Sequence, residues 1–347
     1  MADAGGVKLA ILGAGSWGTA LACALADGGP TVLWTRHAHE AEAIRLARRN
    51  PRYLTETVLP LALEVTGDLA QAVAGAAIVV MAVPAKGMEA AARGLSAVLR
   101  TQARRGDDGP LVLSGAKGLD PESGRLMSQV LSESLGDRAV VGALSGPNIA
   151  REVAQGLPTA TVIACHSAER AAGAQRRLSG RRLRAYTNDD VVGVEVGGAM
   201  KNVIAVAAGI SDGLHAGDNA KAAIMTRGLS EMTRLGIALG ARATTFSGLT
   251  GLGDLVVTCS SPFSRNRMLG VSIGEGRSLA EVESSMTMIA EGVNTTREAL
   301  RLGARLDVEL PIAAAVSSVL FDGADLLSVA AALMSRTGRS EMEGLLG

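Results

Sequence analysis

Lys201 is set in residues 191–209, a run that is apolar or small throughout except for Glu195, Lys201 and Asn202. An unpaired ammonium is costly to bury, so such a lysine snorkels to water, finds a partner or gives up its proton. Gly197 and Gly198 stand just before it and Ala205 just after, at spacings that share its face on a helix. That floor of small residues predicts room for a ligand. A lysine there, with its pKa lowered by desolvation, is a candidate general acid/base.

A second signal opens the chain. Gly13-Ala14-Gly15-Ser16-Trp17-Gly18 follows an apolar run at 7–12 and precedes a helical pattern. Between a strand and a helix, that spacing is a dinucleotide-binding turn. Gly13 makes the tight turn, Gly15 lets backbone amides approach a pyrophosphate, and Gly18 allows helix and strand to pack closely. About 20 residues on, an NAD-specific site places Asp or Glu. Here the sequence reads Trp34-Thr35-Arg36-His37. Arg36 suits a 2′-phosphate, which makes NADPH the preferred cofactor and NADH the alternative.

Two further turns, Ser114-Gly115-Ala116-Lys117-Gly118 and Ser145-Gly146-Pro147-Asn148, each follow a predicted strand. Ligands of open α/β sheets bind at those strand ends. Lys117, between glycines, is a mobile cation. Asp254 lies in Gly251-Leu252-Gly253-Asp254-Leu255, either as a helix cap or as a carboxylate in an apolar setting. Ser264-Arg265-Asn266 opens a predicted helix with a hydroxyl, a guanidinium fork and an amide, a set suited to phosphate. An anion site so far from the dinucleotide turn predicts a phosphorylated small-molecule substrate.

Two kinds of architecture must hold these groups. Strand patterns at 7–12, 31–34, 62–65, 78–83, 111–114, 139–143, 158–165 and 182–186 alternate with helical ones, among them 38–49 and 121–135. After Val191 the pattern is helical: 191–209, 218–239, 244–260, 265–275, 279–285, 294–303, 311–321 and 325–335. The expected fold is α/β. A Rossmann, doubly wound, mostly parallel sheet covers 1–188, an all-α substrate domain covers 189–336, and 337–347 form a loose tail.

Composition bounds the rest. A chain of 347 residues, 48% hydrophobic and 20% charged, is long enough for two cores. Its zero formal charge leaves no electrostatic footprint for nucleic acid, and the cluster Arg176, Arg177, Arg181, Arg182, Arg184 reads as a solvated face. Cys23, Cys165 and Cys259 form neither a metal-ligand spacing nor a disulfide framework, so no metal site and a reducing, cytoplasmic location are expected. The apolar run 76–85 is about half of the roughly 20 residues that a membrane span needs, so no integral membrane segment is expected. No leader is expected before Val7 either.

Several blocks together carry a resemblance. EVGGAMKNVIAVAAG at 195–209, GDNAKAA at 217–223, GLTGLGDLVVTC at 248–259 and SRNR at 264–267 resemble the bacterial type of NAD(P)-dependent glycerol-3-phosphate dehydrogenase. With GAGSWGT at 13–19, KGL at 117–119 and EGV at 291–293, the likeness runs over about 7–334. It implies reversible reduction of dihydroxyacetone phosphate to sn-glycerol 3-phosphate by NADPH or NADH, for glycerophospholipid synthesis. By the same resemblance Lys201 is the general acid/base at the C2 oxygen. Lys117, Gly146, Asn148, Asp254, Ser264, Arg265 and Asn266 lie at the substrate. Gly13, Gly15, Ser16, Trp17, Gly18, Arg36, His37, Ala150, Ile289 and Glu291 lie along the dinucleotide, which Lys117 and Arg265 also touch. Family members commonly carry Ser or Thr where this chain has Asn148. Family precedent implies a homo-oligomer, a dimer.

Ketopantoate reductase and 6-phosphogluconate dehydrogenase share such a helical second domain, and the Ser264-Arg265-Asn266 block argues against both. A redox-sensing NADP-binding protein would have no use for Lys117, Lys201 and Asp254 together. Glu195 is left without a role.

Overall fold

The computed structural model describes residues 6–102, 109–286 and 290–336. The expected tail 337–347 and Ile289 lie outside them. By its internal contacts the chain divides into two compact units, Met1–Ala116 with Arg125–Val191, and Lys117–Gly124 with Val192–Gly347.

In chain order the strands of the first unit are β1 (Leu9–Leu12), β2 (Thr31–Trp34), β3 (Arg49–Asn50), β4 (Leu54–Val58), β5 (Leu63–Thr66), β6 (Ile78–Met81), β7 (Leu111–Ser114), β8 (Val140–Ser145), β9 (Thr159–Ala164) and β10 (Leu183–Asn188). Eight of them form one sheet in the order β10-β9-β8-β7-β6-β1-β2-β5, and β3 pairs with β4 apart from it. Neighbours in the large sheet run parallel except β8 and β9, which are antiparallel. Every residue of β1, β6 and β7 is buried. Such strands are covered on both faces, which is why their sequences read as continuous apolar runs rather than alternating ones.

Side-chain alternation still sorts those runs into two cores. Leu9, Ile11, Leu33, Val80 and Leu113 pack with Leu21 and Leu25 of the helix Ser16–Leu25 and with Leu178. Ala10, Leu12, Val79, Met81 and Val112 pack with Met88, Ala92 and Leu95 of the helix Met88–Gln102 and with Leu131 and Leu135. The small β3–β4 pair has no counterpart among the expected strands. The helix expected from 121 begins instead at Met127. Asp120 holds the intervening turn, accepting hydrogen bonds from the Ser123 amide and hydroxyl, and Lys117–Gly124 belongs to the other unit.

The second unit is helical: Val191–Gly213 (Val192 onward), Asp218–Ala238, Ala243–Phe246, Asp254–Ser260, Arg265–Gly274, Leu279–Ser285, Glu291–Leu306, Pro311–Phe321 and Leu326–Met334. A π-helical segment, Leu249–Gly253, leads directly into the helix that begins at Asp254. Val191–Gly213 is long and apolar enough to cross a membrane by length and composition, and 89% of its apolar window is buried inside the protein. A Cβ on Gly209 would strike the Arg267 carbonyl, and one on Gly270 the Val206 carbonyl. Glycine therefore lets Val191–Gly213 and Arg265–Gly274 meet backbone to backbone. Elsewhere the buried Glu231 caps a neighbouring helix, accepting from the amides of Ile312 (2.6 Å) and Ala313 (3.3 Å).

Candidate active site

In the helical unit Asp254 holds two lysines at once. Its Oδ2 accepts from Lys117 Nζ at 2.8 Å, and its Oδ1 accepts from Lys201 Nζ. Lys201 is 5% exposed and Asp254 is fully buried. The carboxylate thus answers the choice that the sequence leaves open: Asp254 is the first residue of its helix, after Gly253, and its side chain serves the lysines instead of a cap. A second helical turn brings Thr258, whose Oγ1 accepts from Lys201 Nζ at 2.8 Å and donates to Asp254 Oδ1 at 3.3 Å. Among the described residues Asp254 and Thr258 accept hydrogen bonds from the ammonium, which can donate three in all.

Burial pushes the Lys201 pKa down to about 8, helped by the charge of Lys117 and opposed by Asp254. Two ammoniums on one carboxylate leave a net positive charge out of water. That charge suits an anionic ligand and a developing alkoxide.

Asparagines tie the neighbouring elements to this centre. Asn202 Nδ2 donates to the Lys117 carbonyl at 2.9 Å, and its Oδ1 accepts from Asn266 Nδ2 at 2.8 Å. Asn266 Oδ1 in turn accepts from the Gly292 amide at 2.9 Å. Lys117, Asn202, Asn266 and Gly292 come from four separate segments. Ser264 caps the helix Arg265–Gly274, accepting from the Arg267 amide at 3.3 Å, while Arg265 is exposed. Next to Gly292, burial raises the pKa of Glu291 against the pull of Arg265, Lys117 and Lys201.

The glycine floor is used differently from the sequence expectation. A Cβ on Gly197 would lie 2.5 Å from the Thr250 carbonyl oxygen. The space beside Gly197 is filled by the backbone of the π-helical segment, so this glycine serves close packing and not a ligand.

In the sheet unit Gly13, Gly115 and Gly146 follow the carboxyl ends of β1, β7 and β8 on one edge of the sheet. Gly13 has φ +119°, and a Cβ on Gly18 would collide with its carbonyl oxygen, so both positions require glycine. The helix Ser16–Leu25 starts after Gly15 with no side-chain cap, and a Cβ on Gly15 would meet nothing within 4 Å. On that same edge Trp17 Nε1, Ser114 Oγ and Ser145 Oγ are buried polar atoms with no partner among the described residues. A helix start without a side-chain cap and the orphaned side-chain donors nearby fit a dinucleotide pyrophosphate and its flanking groups. Arg36 and His37 are exposed after β2, with Arg36 Nε 3.3 Å from His37 Nε2.

Two family profiles match the chain, described as the N-terminus and the C-terminus of NAD-dependent glycerol-3-phosphate dehydrogenase, over residues 8–171 and 190–331. A glycerol-3-phosphate dehydrogenase [NAD(P)+] of Salinibacter ruber is 46% identical over 337 residues, covering 96% of each chain. The Lysinibacillus sphaericus enzyme of that name is 45% identical, over 97% of this chain and 98% of its own. Among solved structures, glycerol-3-phosphate dehydrogenase from Coxiella burnetii superposes with a TM-score of 0.88 at 36% identity, covering 95% of this chain and 99% of that one. The chain belongs to the NAD-dependent glycerol-3-phosphate dehydrogenase family.

The remaining positions that the family resemblance points to are placed as follows. Gly146 has φ +142°, with a Cβ position 3.1 Å from Thr161 Cα. Asn148 is braced on β9. Its Nδ2 donates to the Ala160 carbonyl at 2.8 Å and its Oδ1 accepts from Thr161 Oγ1 at 3.2 Å. Ala150 starts the short helix Ala150–Ala154, which the sequence expectation lacks. Sequence reasoning also overlooks Thr258 and the tie made by Asn202. The first was visible as the residue one helical turn after Asp254, and the second as the polar neighbour of Lys201 in an apolar run.

Proposed function

We propose that this chain reduces dihydroxyacetone phosphate to sn-glycerol 3-phosphate, reversibly, with NADPH preferred over NADH. The observation that carries the reading is the buried Lys117–Asp254–Lys201 arrangement, with two cations on one carboxylate. Gly13, Gly15, Ser16, Trp17 and Gly18 would hold the dinucleotide, with Arg36 and His37 at its 2′-phosphate. Bound there, the nicotinamide supplies the hydride.

Lys201 does the proton chemistry. On this reading the Lys201 ammonium donates to the C2 oxygen, where negative charge develops as the ketone is reduced. A pKa near 8 keeps most of it charged at neutral pH yet ready to give the proton up. Asp254 and Thr258 fix the ammonium's direction, and Lys117 keeps a positive charge in place after the proton has left. Arg265, Asn266 and Ser264 at a helix start are suited to the substrate phosphate. In the oxidising direction Lys201, deprotonated, takes the proton back.

The product feeds glycerophospholipid synthesis on this reading. A cytoplasmic location is part of it, in keeping with free thiols at Cys23, Cys165 and Cys259. A homodimer is part of it too, to be tested by light scattering.

Purified protein should oxidise NADPH when given dihydroxyacetone phosphate, followed by absorbance. Lys201→Ala should lower kcat by about 10³-fold, within the range for loss of a general acid, while NADPH still binds by fluorescence titration. Full activity in that variant sinks the role of Lys201. No turnover of this substrate alongside turnover of ketopantoate sinks the function.

A further inference from the structure

The pair β3–β4 supplies a side chain that reaches the dinucleotide turn. Asn50 is 1% exposed. Its Nδ2 donates to the Ala14 carbonyl at 2.8 Å and to Thr19 Oγ1 at 2.9 Å. Its Oδ1 accepts from the amides of Arg52 and Tyr53, each at 3.2 Å. Both donors and both lone pairs of the amide are used. The orientation is unambiguous, because a carbonyl on one side can only accept and two amides on the other can only donate.

Ala14 lies between Gly13 and Gly15, and its peptide with Gly15 is trans, as are all those described. In a planar trans peptide the C=O and the next N–H point in opposite directions. Holding the Ala14 carbonyl toward Asn50 therefore turns the Gly15 N–H the other way, away from Asn50, and a Cβ on Gly15 would meet nothing within 4 Å, so the turn has open space beside it. Two further bonds fix the same turn. The Gly13 amide donates to Trp34 O at 2.9 Å, and the Thr19 amide donates to Gly15 O at 2.9 Å.

We propose that Asn50 is a positioning residue for the cofactor pyrophosphate: by clamping the Ala14 carbonyl it aims the Gly15 amide at the anion. The proposal rests on the reading that NADPH lies on this turn. It assigns a cofactor-related task to a segment outside both the glycine motif and the main sheet.

Asn50→Asp separates this task from a purely structural one. The aspartate keeps the acceptor for Arg52 and Tyr53 but sets an oxygen against the Ala14 carbonyl. Kd and KM for NADPH should rise about tenfold, as expected for one misaligned amide–anion contact. The KM for dihydroxyacetone phosphate and kcat at saturating NADPH should stay within about twofold of wild type. The Kd of 2′-AMP, which lacks the pyrophosphate, should not change. Should the aspartate variant not fold, Asn50→Ala carries the same expectation with a lower Tm.

Wild-type affinity for NADPH in the variant overturns the proposal. So does an equal loss of 2′-AMP binding or of kcat, which marks a general disturbance. Wild-type protein that binds neither NADPH nor NADH overturns the cofactor reading and this proposal with it. Wild-type binding with an unaffected variant overturns this proposal alone.

Discussion

Thr258 Oγ1 stands 2.8 Å from Lys201 Nζ, one helical turn beyond the carboxylate that holds the same ammonium. A hydroxyl accepting from an ammonium favours the charged form, so Thr258 works against the desolvation that lowers the Lys201 pKa to about 8. Reduction needs the charged form. The value of kcat/KM for dihydroxyacetone phosphate should be level below that pH and fall above it, while the reverse oxidation rises through the same range. Thr258→Val should move the fall to lower pH by about one unit, the worth of one hydrogen bond to a charged group. Superimposable pH profiles for wild type and variant would show that the hydroxyl does not tune the lysine.

Glu231 gives a separate pH effect, on stability. Burial raises its carboxyl pKa from 4.5 to about 7, although the amides of Ile312 and Ala313 pull the other way. The folded state therefore binds this proton more tightly than the unfolded chain. The contribution is fully present below pH 4.5 and is lost as pH rises to about 7. Relative to Glu231→Gln, which does not titrate, wild type should lose up to about 3 kcal/mol across that window. Urea unfolding at several pH values measures it, and an unchanged difference between the two proteins rules it out.

Gly197 permits contact between Val191–Gly213 and the backbone at Thr250. Gly197→Ala should force that segment away and carry Asp254, four residues on, out of register with Lys201. The expected cost is about 1–3 kcal/mol of overpacking together with a fall in kcat. An alanine variant as stable and as active as wild type would show that the contact relaxes freely.

Arg36 is exposed just after β2, and on the proposed cofactor reading it meets the 2′-phosphate. Arg36→Ala should raise KM for NADPH about tenfold or more and leave KM for NADH nearly unchanged. Equal changes for both cofactors would remove the arginine from cofactor selection.

Much of the fold was legible because buried elements carry continuous signals. The strands Thr31–Trp34 and Leu111–Ser114 and the helix Pro311–Phe321 begin and end where apolar pattern, glycine and proline place them. The β3–β4 pair was not legible. Leu54–Val58 is largely exposed, so no core imposes a period on it. Asn50 consequently looked like any loop asparagine, its long-range bonds to Ala14 and Thr19 leaving no local trace. The residue types at Lys117, Lys201 and Asp254 pointed to chemistry, but periodicity reports only which side chains share a face. It could not say that Thr250 would occupy the space beside Gly197, nor that one carboxylate would serve both lysines.

The departure of Lys117–Gly124 from the sheet unit has a consequence for gene-level dissection. The polypeptide passes from one unit to the other at three places, after Ala116, after Gly124 and after Val191. No single cut can separate it into two self-sufficient fragments. A clone starting at Val192 would encode Asp254 and Lys201 without Lys117. A chimera spliced near 188 would set one parent's Lys117 against the other parent's Asp254 and Asn202. Recombination between relatives is thus restrained at a junction that looks like a natural seam, and exchange that keeps 117–124 with the helical half is the viable route.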